Sequence, residues 1–185
     1  MRRLLLALVA ALVAACAQQS LEEQLILAVR RNQPAEVDRL IAQGADVNAD
    51  KVRGFEGRPP LFHAATYGYV EIAKKLIEKG AKPNGGEHGG GVTPLMAAAL
   101  NSSAPMVALL LKAGADANAR DSAGSTALTE AVRKGDAEVL VLLLDAGADP
   151  GVPMGDGRTP VCYARALGYK QVDALLIAAG APGSC

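Results

Sequence analysis

The stretch GVTPLMAAALNSSAPMVALLLKAGADANARDSAGSTAL, from Gly91 to Leu128, decides how this chain of 185 residues folds. Its Gly114-Ala115 pair recurs as Gly44-Ala45, Gly80-Ala81, Gly147-Ala148 and Gly180-Ala181, at spacings of 36, 34, 33 and 33 residues. A fixed period near 33 predicts one supersecondary unit repeated and stacked, each copy touching its neighbours, and not a single globular core.

Outward from that stretch, the units align at both ends. Twenty-one residues before four of the glycines a first helix starts, at Pro59-Pro60-Leu61, Thr93-Pro94-Leu95, Thr126-Ala127-Leu128 and Thr159-Pro160-Val161. A threonine hydroxyl can accept a free backbone N–H at the N-cap, and proline in the first turn has no N–H to leave unpaired. Small residues follow (Ala64-Ala65, Ala98-Ala99, Ala131-Val132, Ala164), which let two antiparallel helices approach closely. A turn residue comes next (Gly68, Ser102, Gly135, Gly168), and then a second helix with apolar residues at helical spacing, such as Val107, Leu110 and Leu111. Gly80, Gly114, Gly147 and Gly180 fall where that helix exits through a left-handed residue.

These motifs resemble the ankyrin repeat, whose pattern runs Gly-x-Thr-Pro-Leu-His-x-Ala-Ala, then Gly, then Leu-Leu-x-x-Gly-Ala-Asp-x-Asn. The resemblance covers 21–182 and implies an all-α solenoid of five stacked helix–turn–helix units joined by β-turn or hairpin loops. The units run at about 21–57, 58–91, 92–124, 125–157 and 158–182, with a short tail at 183–185. The first unit has Glu23-Gln24-Leu25-Ile26 in place of Thr-Pro, as an N-terminal capping repeat would. The family's histidine slot holds Phe62, Met96, Thr129 and Cys162, so its usual hydrogen bond between neighbouring loops is not expected, and Ser102 stands where glycine is usual.

The first residues do not belong to the stack. Met1-Arg2-Arg3 is basic, and the apolar run from Leu4 to Ala15 is too short to span a bilayer. It ends in Val13-Ala14-Ala15-Cys16, which resembles the bacterial lipobox. That likeness implies a lipoprotein signal peptide at 1–15, a lipid on Cys16 and a short linker at 16–20. Acyl chains hold a protein at a membrane because each buried methylene adds roughly 0.8 kcal/mol. Ala17, where the family's sorting rule reads aspartate as retention, implies an outer-membrane protein facing the periplasm. The other reading is an ordinary secretory signal cut after Ala17, giving a soluble periplasmic protein.

Without Arg2 and Arg3 the 19 basic residues become 17 against 19 acidic ones, a net charge of about −2. No overall basic excess is left for nucleic acid, and 3% aromatic content argues against sugar- or base-stacking platforms. Two cysteines remain in a compartment that permits disulfides. In the resembled unit Cys162 and Cys185 both lie on the loop side, so a bridge would fold the tail back as a clamp over a loop of about 24 residues, worth on the order of 3 kcal/mol. Two unpaired thiols are the alternative.

Catalysis needs a constellation, and the chain offers none: no nucleophile elbow, cysteine–histidine pair or zinc spacing occurs. The two histidines, His63 and His88, fall in different units. The glycine-rich run around His88 reads either as a metal- or anion-binding loop or as a longer finger between units two and three. Asp46, Asp116 and Asp149 recur at one turn position after Gly-Ala, where aspartate hydrogen-bonds its own backbone.

The resemblance places partner binding in a groove of loop tips and first-helix faces. Carried over residue by residue, it assigns Arg30, Arg31, Phe55, Arg58, Tyr67, Asn101, Arg133, Lys134 and Arg158 to that surface, with Lys51 and Arg53 nearby. Many of these are basic, while acidic residues such as Glu71, Glu138 and Asp173 fall in second helices. A basic groove would steer a protein partner with an acidic surface. Solvated charges and helix-dipole preferences would give the same distribution without any partner. Phe55 and Tyr67 are expected as aromatic anchors. The sequence therefore reads as a non-catalytic, cofactor-free and metal-free adaptor or scaffold at the bacterial envelope, a monomer or weak dimer. The alternative is a periplasmic inhibitor or immunity protein that blocks a toxin or hydrolase.

Overall fold

The computed structural model describes residues 19–185 apart from 51, 53, 56 and 86–89. Among these residues the chain forms ten helices and no strand. They come in five pairs: α1 (Leu21–Arg30) with α2 (Pro34–Ala42), α3 (Pro60–Tyr67) with α4 (Val70–Glu78), α5 (Pro94–Leu100) with α6 (Ala104–Lys112), α7 (Ala127–Lys134) with α8 (Ala137–Asp145), and α9 (Pro160–Leu167) with α10 (Lys170–Ala178). The first helix of each pair packs on the first helix of the next, and the second on the second. The result is an all-α solenoid of two helical layers.

One leucine per unit fixes the outer layer. Leu40, Leu76, Leu110, Leu143 and Leu176, each four residues before a unit's Gly-Ala, are fully buried. Burying a leucine contributes roughly 2 kcal/mol. Each also accepts, through its carbonyl, the N–H of the alanine after the glycine, as Leu110 does from Ala115 at 3.0 Å. That bond closes the helix only because the intervening glycine is left-handed, with φ between 81° and 94° at the five positions. In the inner layer Ala28, Ala64, Ala98, Ala131 and Ala164 are buried where first helices approach one another.

The helix starts follow the expected chemistry, with one exception. The hydroxyls of Thr93, Thr126 and Thr159 accept backbone N–H groups three residues on. Thr126 and Thr129 cap reciprocally, since the Thr126 N–H donates back to the Thr129 hydroxyl at 2.9 Å. Pro59 leaves α3 without a side-chain cap. In unit one, Ser20 fills the capping role by accepting from the Glu23 N–H. Between paired helices the chain turns through left-handed residues, and Ser102 adopts φ 54° where the other units use glycine or Asn32. The missing glycine therefore leaves the turn intact, at a cost of about 1 kcal/mol.

Adjacent units are joined by asparagine side chains. Asn48 donates to the Gly80 carbonyl and accepts from the Lys82 N–H. Asn84 does the same with Gly114 and Asp116, and Asn118 with Gly147 and Asp149. No such rung joins units four and five, because Gly151 holds the asparagine position and Pro182 has no N–H to offer. Asp46, Asp116 and Asp149 accept from the N–H two residues ahead, each at 2.8 Å, so these carboxylates shape turns. The loop tips close through backbone turns, Asp121 N–H to Ser125 and Met154 N–H to Arg158.

At the far end a disulfide joins Cys162 to Cys185, with Cα atoms 5.5 Å apart. The Arg165 guanidinium donates to the Gly183 carbonyl at 2.7 Å and pairs with Asp173. The tail is thereby folded back onto α9 and α10.

Candidate functional site

The last residues of the five first helices are Arg30, Tyr67, Leu100, Lys134 and Leu167, all exposed. Three of the five are large and carry apolar surface, Tyr67 at 44% exposed, Leu100 at 40% and Leu167 at 50%. Loops approach the same face, and between loops and helices lie two adjoining clefts.

The first cleft, of about 300 Å³, spans units one and two and is lined by Arg30, Gly54, Phe55, Arg58, Phe62, His63, Thr66 and Tyr67. Its aromatic residues form a supporting layer. Phe55 and Phe62 meet the His63 ring edge-on at 5.8 and 5.9 Å. The Arg30 guanidinium lies over Phe55 at 5.7 Å and that of Arg58 over Phe62 at 4.6 Å. Stacking on ring faces holds both cations in place. Burial, followed by the nearby positive charges of Arg30 and Arg58, pushes the His63 imidazole down to about 4. It is therefore neutral at physiological pH, and among the described residues no carboxylate lines this cleft.

Arg58, Phe62 and Thr66 are shared with a second cleft, of about 310 Å³, which reaches to unit four. Val92, Met96, Ala97 and Leu100 give it apolar walls, and Asn101, Asp121, Glu130 and Arg133 complete the lining. Glu130 is only 8% exposed. One carboxylate oxygen lies 3.3 Å from the Arg133 guanidinium; the other, Oε2, is buried without a hydrogen-bond partner among the described residues. Burial raises the Glu130 pKa, opposed by Arg133.

This geometry sorts the residues assigned from sequence. Arg30, Arg58 and Tyr67 come together in the first cleft, and Asn101 and Arg133 in the second. Lys134 is exposed beside them. Phe55 requires a correction: it is 8% exposed, turned inward beneath Arg30, and supports the cation without presenting a ring to solvent. Arg31 departs too, lining a separate cleft with Gln19 and Gln24 at the end of the stack. Arg158 lies outside both clefts, paired with Asp156 at 2.6 Å and placed over Tyr163. The uniformly basic groove thus contracts to the first cleft, since Arg133 faces Glu130. Cys16, Lys51, Arg53 and His88 lie outside the described residues.

Glu130 and the asparagine rungs are what sequence reasoning missed. The asparagines left a signal, recurring four residues after a unit's glycine at 48, 84 and 118. Glu130 left none, because its burial depends on the neighbouring unit.

A family model described as ankyrin repeats (3 copies) matches residues 7–86, 25–121 and 85–154. Among curated proteins, alpha-latrocrustotoxin-Lt1a of Latrodectus tredecimguttatus is 41% identical over 93 residues, covering 50% of this chain and 6% of the toxin. An ankyrin repeat protein of Rickettsia felis is 35% identical over 116 residues, 57% of this chain and 48% of that protein. Zygote-specific protein 3 of Chlamydomonas reinhardtii is 36% identical over 119 residues, 63% of this chain and 30% of its own length. The chain spans less than half the length of each of these relatives.

Proposed function

Because the chain belongs to the ankyrin-repeat family, whose members are in general protein-interaction modules, we propose that it is a non-catalytic adaptor that binds another protein through the first-helix face. The observation that carries this reading is the first cleft, with two guanidiniums stacked on aromatic rings, an exposed tyrosine and no carboxylate among the described residues of its lining. Such a surface suits an acidic patch on the partner, which the positive field would draw in and orient. The Val13-Ala14-Ala15-Cys16 string supports a lipid anchor that holds the stack at the outer membrane, facing the periplasm.

Crosslinking in intact cells, purification of the tagged protein and mass spectrometry test the reading. One dominant partner captured by the native protein and lost from Arg30→Glu/Tyr67→Ser supports it. Equal capture by both removes the first cleft from binding. Both substituted side chains are exposed, so the variant's stability should stay within about 1 kcal/mol of the native value. Cys16→Ser should move the protein from the membrane to the soluble fraction, and a variant that stays with the membrane removes the lipid anchor.

A further inference from the structure

The three asparagine rungs are not chemically equal. Asn48 and Asn118 are each followed by alanine, whereas Asn84 is followed by Gly85. We propose that Asn84 is a modification site at which the folded protein loses a side-chain amide without any enzyme. The loss severs the rung between units two and three while the other two persist. This inference is independent of the protein-binding reading.

The step needs water alone. The Gly85 backbone nitrogen attacks Cγ of Asn84 and forms a C–N bond. The amide nitrogen leaves as ammonia, taking the proton that Gly85 gives up, and a cyclic succinimide remains. Water then opens one of the two carbonyl–nitrogen bonds of that ring. Opening at Cγ leaves aspartate. Opening at the main-chain carbonyl leaves isoaspartate, in which the backbone runs through the former side chain. Overall one water enters and one ammonia departs, and nothing is oxidised or reduced.

Three observations single out Asn84, which is exposed. Glycine puts no Cβ beside the attacking nitrogen, and its backbone freedom alone eases ring closure by a factor of about two to five over alanine. The Asn84 side chain is also held less firmly. It donates to the Gly114 carbonyl at 3.4 Å, against 3.0 Å for Asn48 and 2.9 Å for Asn118. Its turn is the less braced one as well. Asp46 and Asp116 accept the N–H groups of Asn48 and Asn118 at 2.8 Å, but Lys82 stands at that position in unit two and has no side-chain oxygen. One contact opposes the reaction: the Gly85 N–H donates to the Lys82 carbonyl at 3.0 Å and must let go before the nitrogen attacks. Close packing favours the glycine all the same, since a Cβ at position 85 would lie 3.1 Å from that carbonyl.

Both products damage the rung. Aspartate can still accept from the Asp116 N–H but cannot donate to Gly114, so two oxygens face each other where a hydrogen bond stood. Isoaspartate adds a carbon to the backbone and takes both bonds out of register. The second cleft is built across this joint, with Phe62 from unit two and Met96 from unit three in its lining.

The test incubates the full chain at mildly alkaline pH, native and in concentrated urea, and maps its peptides by mass spectrometry. The expected result in the native protein is the mass gain of an amide-to-acid exchange at Asn84, appearing several times faster than at Asn48 or Asn118. Part of that product should be a substrate for an isoaspartyl methyltransferase. Lys82→Asp, which restores the missing brace, should slow the conversion, and Asn84→Asp should unfold at a lower urea concentration than the native chain. Three results each overturn the inference. One is an Asn84 that stays intact in the native protein over the time in which the urea-unfolded chain converts. Another is equal or faster conversion at Asn48 or Asn118. The third is an Asn84→Asp variant with the native urea midpoint.

Discussion

Tyr169 sits directly over Gly135: a methyl group added at Gly135 would lie 2.9 Å from Cζ of the tyrosine ring. One is the turn residue of unit four and the other follows the turn residue of unit five, Gly168, so the contact couples neighbouring units. Gly68 occupies the same turn in unit two with nearly the same backbone, φ 71° against 70°, but its nearest such neighbour is the Ser103 hydroxyl at 3.7 Å. The pair isolates steric crowding from backbone strain. Gly68→Ala should cost about 1 kcal/mol from the left-handed conformation alone. Gly135→Ala should cost about 2–4 kcal/mol, because the ring must also move. Urea denaturation of both variants measures the difference, and Tyr169→Ala added to Gly135→Ala should recover the excess. Equal costs at the two glycines would show that the ring yields freely.

The asparagine rungs make a second prediction. Asn118→Ala removes two exposed bonds at 2.9 and 2.8 Å, which join units three and four. At roughly 0.5–1.5 kcal/mol net for each bond, the loss should be about 1–2 kcal/mol. Because neighbour coupling sets cooperativity in a repeat stack, the unfolding transition should also broaden. A narrow transition with unchanged midpoint would mean that helix packing alone joins these units.

Reduction should loosen one end only. The Cys162–Cys185 bridge closes a loop with a sequence separation of 23 that contains all of α10. Constraining a loop of that size is worth about 3 kcal/mol. Cys185→Ser, or reductant, should abolish amide-exchange protection in α9 and α10 while leaving α1 to α6 unchanged. Protection lost evenly along the stack would show that the last unit is needed by all the others.

The depressed His63 pKa gives a pH dependence with a definite sign. The unfolded imidazole takes up a proton near 6.5, but the folded one does so only at about 4. Below 6.5 the unfolded state therefore binds the extra proton, and stability falls as pH drops across the interval from 6.5 to 4. Above 6.5 this residue adds no slope. The group is partly exposed, so screening reduces the effect to about 2 kcal/mol over the interval. His63→Gln should flatten that part of the pH–stability curve. With only two histidines in the chain, an NMR titration of the ring carbons follows the same proton directly.

The repeat was legible because its chemistry is local. Gly114-Ala115 and the residues from Thr93 onward lie within one unit, and each performs a task, cap, turn or exit, that its own neighbours dictate. The groove was legible only in outline, since its features are side-chain contacts that the repeat pattern does not specify. Arg133 reads as a groove cation until Glu130, three residues earlier on the same helix, is found facing it. Phe55 reads as an aromatic anchor until Arg30, from the helix that opens the same unit, covers its ring. Arg30 and Phe55 meet from different elements and Glu130 and Arg133 within one helix, and in neither case does periodicity carry information about which side chains meet.

The bond between Cys162 and Cys185 also sets a path for force. A pull on the last residue passes through the sulfur atoms into the first turn of α9, whose hydroxyl-capped start is buried against the unit before it. The backbone from Lys170 to Ala178 lies off that path and carries no tension while the bond is intact. Load applied to the oxidised tail is delivered to the inner layer of the stack, and the outermost helix is peeled away only once the sulfurs have parted.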